Sequence, residues 1–500
     1  MPRVLADLYP EKVFYYFEQI SAIPRGSGNV KKIADYLCFF AKVRQLEWER
    51  DEADNVIIRK PATPGYEDAA TVILQGHTDM VCAKTEESTH DFLKDPLDLR
   101  VEDGWLSANG TTLGGDNGIA VAYGLAILAS EDLQHPPLEV VFTSDEEIGL
   151  LGAKALDMSR LKGKYLLNLD SESEGILTVS CAGGSMTTVT LPFTRSHEAG
   201  KVYKVTFSGL LGGHSGAEIH KGRANAAVLF GEFLEKCGGK VISAKGGCAD
   251  NAIMSSLTAE VLGEDLPAVA EACTKAFRER YPEESIAVEA VLMSEDGGDV
   301  VSADLGGYLR KAPYGVQAMS AEIEGLVQTS LNVGILETGD NAFTAIYSVR
   351  SSVEAEKNAL NAKVAETAVS FGGNALTEGE YPAWEYRKKS PLRDLMVEVY
   401  EKSFGKKMQV EAIHAGLECG LFAGGIPGLD AVSFGPDMAD IHTPAEKLSL
   451  DSVANTWKYL LSALEAMQDL PEPEEEQEAD EEAAEQPKKK GFLGLWNRRK

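Results

Sequence analysis

TVILQGHTDM (residues 71–80) runs an apolar segment straight into a histidine and an aspartate two positions apart. Apolar residues at consecutive positions of TVILQ occupy both faces of an extended chain, as in a sheet interior covered by helices on both sides. LEVVFT (residues 138–143) and YLLNL (residues 165–169) have the same texture. Between and after them GIAVAYGLAILAS (residues 118–130) and IGLLGAKAL (residues 148–156) read as helices. The first part of the chain is therefore predicted to be α/β, a mainly parallel or mixed sheet flanked by helices.

After about Ala182 the texture changes. KVYKVTFSGL, RANAAVLFGEFLEKC, NAIMSSLTAEVL and LPAVAEACTKAFRERY predict strand, helix, strand, helix, and TAIYSVRSSVEAEKNALNAKVAETAVSFG repeats a strand and a helix. This is the pattern of a second, α+β domain. From Ser390 the first texture returns, with a helix over 392–403, a glycine-rich helix start at HAGLECGLFAGG, the strand LDAVSFG and a helix over 449–467. The expected division is 1–182 and 386–469 for one domain, 183–385 for a domain inserted into it, and 470–500 for a tail. PEPEEEQEADEEAAEQP lacks the apolar residues of a core, and KKKGFLGLWNRRK ends it with a short basic-aromatic stretch. That end reads either as a solubility tail or as a weak contact for a membrane surface or partner.

The 500 residues carry a formal net charge of −30, of which the tail accounts for only a small part. Such a surface repels nucleic acid and anionic membrane. No window approaches the roughly 20 apolar residues of a membrane span, and the N-terminus has no signal-type apolar run, so a cytoplasmic location is expected. Seven cysteines without a CxxC pair argue against a disulfide framework and against a thiolate zinc site.

Five strand or loop ends combine metal-capable side chains. His77 suits a neutral imidazole ligand with Asp79 accepting its other N–H, although an isolated His-x-Asp is equally a structural hydrogen bond. Asp116 in TTLGGDNGIA reads as an N-cap or as a carboxylate bridging two metals. In TSDEEIG, adjacent acids suit a helix start. They also suit divided labour, with Glu147 as a ligand and Glu146 unligated as a base. Asp170 in LLNLDSES and His442 in DMADIHTPAEKL complete the set. Two histidines and three carboxylates without thiolate fit a pair of divalent cations, zinc first, with manganese or cobalt as alternatives.

GHTDMV, TTLGGDNGIA, TSDEEIGLLGA, NLDSES and DIHTPAEKL, in this order, resemble the M20 metallopeptidases. HAGLECGLF and SFGPDMADIHTP resemble more narrowly the aminoacyl-histidine dipeptidases, over about residues 8–466. The resemblance implies a zinc-exopeptidase-type catalytic domain with an α+β lid. It also implies two zinc ions per subunit on His77, Asp116, Glu147, Asp170 and His442, and a cis peptide after Asp116. Asp79 and Glu146 would be catalytic, with Glu146 the general base towards a bridging hydroxide. His214, in GLLGGHSGAEIHKGRANA, would stabilise the oxyanion as the lid closes. Asn251 and Arg350 would hold the substrate's C-terminal carboxylate, and Glu418 would touch the substrate amine, stand behind the ligands or start a helix. The implied activity is a dipeptidase of the Xaa-His type, broad specificity included, and such lids often pair into homodimers. The alternatives are an amidohydrolase of N-acyl amino acids and a catalytically silent metal-binding protein.

Overall fold

The computed structural model describes residues 3–471 and residue 473, and the readings made for the rest of the tail lie outside them. An eight-stranded mixed sheet forms the first layer. Its spatial order is Glu47–Arg50, Val56–Lys60, Leu138–Thr143, Val72–His77, Tyr165–Asn168, Asp430–Ser433, Ile176–Cys181 and Gln409–Ile413. The three strands read from the first part of the chain are parallel neighbours at its centre. Their consecutive side chains enter opposite cores: Val72 and Leu74 join one, Ile73 the other. Both faces are thus apolar, which is why these strands show no alternation. Helices Glu11–Ser21, Gly115–Leu128, Pro391–Phe404 and Leu450–Ala466 cover the first face, and Leu151–Ala155 and Cys419–Gly425 the second.

Two helix starts differ from simple expectation in ways that serve the site. Gly115–Leu128 is interrupted by non-helical backbone at Asp116 and Asn117, so its regular turns begin at Gly118. The helix expected over 148–156 shrinks to Leu151–Ala155. The amides of Glu146 and Glu147 donate instead to Asp79 Oδ1 and Oδ2, at 3.0 and 3.3 Å. Asp145 and Leu150 accommodate the turn with positive φ, 47° and 59°.

A second, antiparallel sheet of nine strands is built from residues between Gly183 and Tyr381. Helices Ala226–Cys237, Leu266–Arg280, Leu305–Lys311 and Glu354–Ser370 accompany it around a separate core. Two of its longest strands, Gly183–Pro192 and Val327–Thr338, were not legible as such. Their buried positions include hydroxyls that are satisfied by residues distant in sequence, as when Thr187 Oγ1 donates to Asn361 Oδ1 at 3.0 Å, and this weakens the hydrophobic signal. A small four-stranded sheet links Met438–Ala439 and Lys447–Ser449 to Trp105–Ala108 and Leu99–Glu102, and so fixes the loop that carries His442. Among the described residues no helix is long and apolar enough to cross a membrane.

Candidate active site

His77 ends its strand at the carboxyl edge of the first sheet, where open α/β sheets gather ligands. Its ring is buried, with Nδ1 3.3 Å from Asp79 Oδ1 and Nε2 3.1 Å from Asp116 Oδ1 and 3.6 Å from Asp170 Oδ1. Asp116 presents its second oxygen, Oδ2, to His442 Nε2 at 3.1 Å, and that nitrogen lies 3.1 Å from Glu147 Oε2. Potential ligand atoms of His77, Asp116 and Asp170 lie within 4.8 Å of one another, as do those of Asp116, Glu147 and His442. Asp116 belongs to both triads. Glu146 also falls within this distance of His77 and Glu147. The peptide bond from Asp116 to Asn117 is cis.

The donor set fits cations. Burial opposes a charge on the His77 ring, but Asp170, Asp116 and Asp79 outweigh it and raise its pKa well above the usual value. Hydrogen bonds to Asp116 and Glu147 raise His442 to about 10. Burial pushes the Glu146 carboxyl up to about 8, with His77 opposing and Glu418 and Glu147 adding to the rise. Asp170 is raised for the same first reason. Glu147 Oε1 is buried without a hydrogen-bond partner among the described residues. A crowd of carboxyls taken out of water is unfavourable unless positive charge joins it, and a divalent ion in each triad would supply that charge.

Asp79 is fully buried and does more than face His77. Besides the Glu146 and Glu147 amides, its Oδ2 accepts from Ser27 Oγ at 2.8 Å. One carboxylate thus holds the His77 ring and the backbone of both glutamates.

The second sheet contributes a separate group. His214 Nδ1 accepts from the amides of Gly216 and Ala217, at 3.2 and 3.0 Å. Its proton therefore sits on Nε2, and burial with the nearby Arg350 charge lowers its pKa. Arg350 Nη1 donates to Tyr381 Oη at 2.9 Å, while its Nε is buried without a hydrogen-bond partner among the described residues. Asn251 is joined to this group through its carbonyl, which accepts from the Ser215 amide at 2.8 Å, and its side chain is exposed.

Glu418 departs from the expected substrate contact. It is fully buried, and its Oε2 accepts from Thr143 Oγ1 at 2.8 Å and from Gln75 Nε2. The carboxylate points down onto these two strands and makes no cap bond, while the Glu418 carbonyl begins the helix Cys419–Gly425 by accepting from the amides of Leu421 and Phe422 at 2.9 and 3.1 Å. Sequence reasoning missed Arg25, Asn117, His414 and Glu446. Asn117 Oδ1 accepts from the His77 amide at 3.2 Å, and Nδ2 donates to the Leu169 carbonyl at 2.9 Å. His414 Nε2 is 2.7 Å from Ser330 Oγ across the junction of the two sheets. Its only signal was a histidine in a segment already picked out for its glycines.

A family description for peptidase family M20/M25/M40 matches residues 73–466. The chain is 36% identical over 476 residues to the cytosol non-specific dipeptidase of Escherichia coli (strain K12), spanning 92% of this chain and 98% of that one. Its structure matches that of aminoacylhistidine dipeptidase from Vibrio alginolyticus with a TM-score of 0.87 and 36% identity, over 94% of this chain and 99% of the other. The aminopeptidase PepT from Bacillus cereus ATCC 10987 matches with a TM-score of 0.54 at 16% identity, over 92% of this chain and 99% of that one, a likeness of fold alone.

Proposed function

Because the chain belongs to peptidase family M20/M25/M40, we propose that it is a metal-dependent dipeptidase working at the cluster around Asp116. The observation that carries this reading is the posture of Asp116, with one carboxylate oxygen towards His77 and the other towards His442. His77 and Asp170 would hold one cation, Glu147 and His442 the other, and Asp116 both. Two divalent ions, zinc first, would lower the pKa of a water shared between them towards about 7 and polarise the scissile carbonyl.

The chain's own groups do the rest. Asp79, 3.3 Å from Nδ1 of His77, would hold the proton on that nitrogen and leave Nε2 to the metal. Glu146 takes the proton of the attacking water and delivers it to the leaving amine. Its raised pKa reflects burial among acids, and nearby cations would bring it back towards the ionised form that a base requires. His214, neutral and protonated at Nε2, is suited to donate to the developing oxyanion when the second sheet closes over the substrate. Arg350 and Asn251 would hold the substrate's C-terminal carboxylate, a task for which the unpartnered Arg350 Nε is free. The surplus of carboxyls favours a substrate with a free amino group.

Dipeptides, including those ending in histidine, are supported by the activities named for the Escherichia coli and Vibrio alginolyticus relatives. The cytosolic name of the former supports a cytoplasmic setting. The test is metal analysis joined to a panel of β-alanyl-histidine, glycyl-histidine and an N-acetylated control. Two ions per chain, hydrolysis of free dipeptides and loss of turnover on chelation are expected. Equal turnover of the N-acetylated control would point to a deacylase, and chelator-resistant turnover would reject the metal mechanism.

A further inference from the structure

Two buried charged side chains grip one short turn of backbone from opposite sides, and that turn carries Asp116. Glu446 is 2% exposed. Its Oε2 accepts from the amides of Leu113 and Gly114 at 2.8 and 3.0 Å, and its Oε1 from those of Gly115 and Asp116 at 2.8 and 3.3 Å. Arg25, also 2% exposed, donates from Nη1 to the carbonyls of Thr78 and Asp79 at 3.1 and 3.2 Å, and from Nη2 to the carbonyl of Gly114. The glycines of TTLGGDNG make room for both. A Cβ on Gly114 or Gly118 would fall 2.5 Å from Arg25 Nη2, and one on Gly115 would fall 3.3 Å from Glu446 Oε1.

The connectivity gives these contacts a direction. Glu446 lies four residues after His442, so its four bonds reference the His442 loop to residues 113–116. Arg25 references the loop of His77 and Asp79 to the same residues. Burying a guanidinium and a carboxylate is unfavourable unless hydrogen bonds compensate; the turn supplies all four for Glu446, and the turn together with Thr78 and Asp79 supplies the three for Arg25. We propose that Glu446 and Arg25 are positioning residues that orient the Asp116 carboxylate between its two histidines and thereby set the second metal subsite against the first. The inference rests on the two-metal reading above.

The test uses full-length zinc-loaded protein, wild type and variants, dialysed against graded concentrations of a chelator. Retained zinc and the melting temperatures of loaded and stripped protein are measured. Glu446→Gln keeps size but turns a donor towards two of the four amides, and Arg25→Lys keeps charge but loses the fork that reaches two loops. Gly115→Ala, whose Cβ would press mildly on Glu446 Oε1 and Met438 Sδ, both at 3.3 Å, carries the test if either fails to fold. One zinc is expected to leave the variants at about 10- to 100-fold less chelator than wild type requires. The zinc-dependent rise in melting temperature should shrink more than the stripped-protein value falls. Wild-type zinc retention in all folded variants, whatever their stripped-protein melting temperature, would overturn the proposal and leave a purely structural clamp. Wild type holding fewer than two zinc ions after loading would instead overturn the two-metal reading, and the inference with it.

Discussion

Glu146 and Asp116 are both acids beside histidines, yet their substitutions should fail differently. Glu146→Gln removes a proton acceptor that belongs to neither of the two triads sharing Asp116, so metal content should hold while kcat falls by about 10²- to 10⁴-fold. Asp116→Ala takes a ligand from both triads and should lose metal first, measured as zinc per chain after gel filtration. His214→Ala is expected to lower kcat by about 10²- to 10³-fold with little change in KM or melting temperature, as when an oxyanion donor is removed. The legibility of these residues follows from what each touches. His77, Asp79, Glu146 and Glu147 stand directly after apolar strands, where side chains of metal-binding type are informative. Asp116 and Asp170 have equally good bland readings, and only three-dimensional convergence separates them. Arg25 and Glu446 bond to backbone, which every residue has, so their only trace is the glycines that yield them space. Glu418 carries three readings in the sequence, because only the fold brings Gln75 and Thr143 beneath its carboxylate as donors.

The strand Val72–His77 and the helix Gly115–Leu128 approach most closely at Gly76, where a Cβ would lie 2.5 Å from Asn117 Oδ1 and closer still to Ala120. Gly76→Ala should therefore destabilise by about 1–3 kcal/mol through overpacking. Because Asn117 accepts from the His77 amide, the same substitution should weaken zinc retention, a coupling that chelator titration beside thermal melting would detect. His414 makes the pH prediction at this scale. Burial and the Arg350 charge, with His214 and His220 adding, lower its pKa to about 3, and Ser330 faces its Nε2. The unfolded chain takes up a proton on this residue below about pH 6.5, whereas the folded chain does not until about 3, so stability falls as pH drops through that window. Between pH 7 and 5 the loss from this group is about 2 kcal/mol. In chelator-treated protein, His414→Gln should show a correspondingly flatter drop in urea midpoint over that range. Elements that bury continuous apolar runs were readable because burial on both faces leaves no ambiguity. The strands Gly183–Pro192 and Val327–Thr338 were not, because their threonines, serines and asparagines are satisfied by partners distant in sequence.

At the scale of the whole molecule, the candidate ligands found among the described residues lie between His77 and His442. Removing residues 474–500 should leave kcat/KM for a dipeptide unchanged, and a drop beyond about twofold, well under 1 kcal/mol, would give the tail a catalytic role. The acidic balance of −30 disfavours nucleic acid as a partner, but it says nothing about which acids gather. That depends on topology. Asp430–Ser433 enters between Tyr165–Asn168 and Ile176–Cys181, two strands close in sequence that are held apart by one arriving far later. The ribosome therefore delivers a chain whose principal sheet has a gap at its middle while the entire second sheet is being synthesised. His442 emerges later still. The triad of His77, Asp116 and Asp170 is already encoded by then, but the triad of Asp116, Glu147 and His442 can close only after both ends of the first sheet have met.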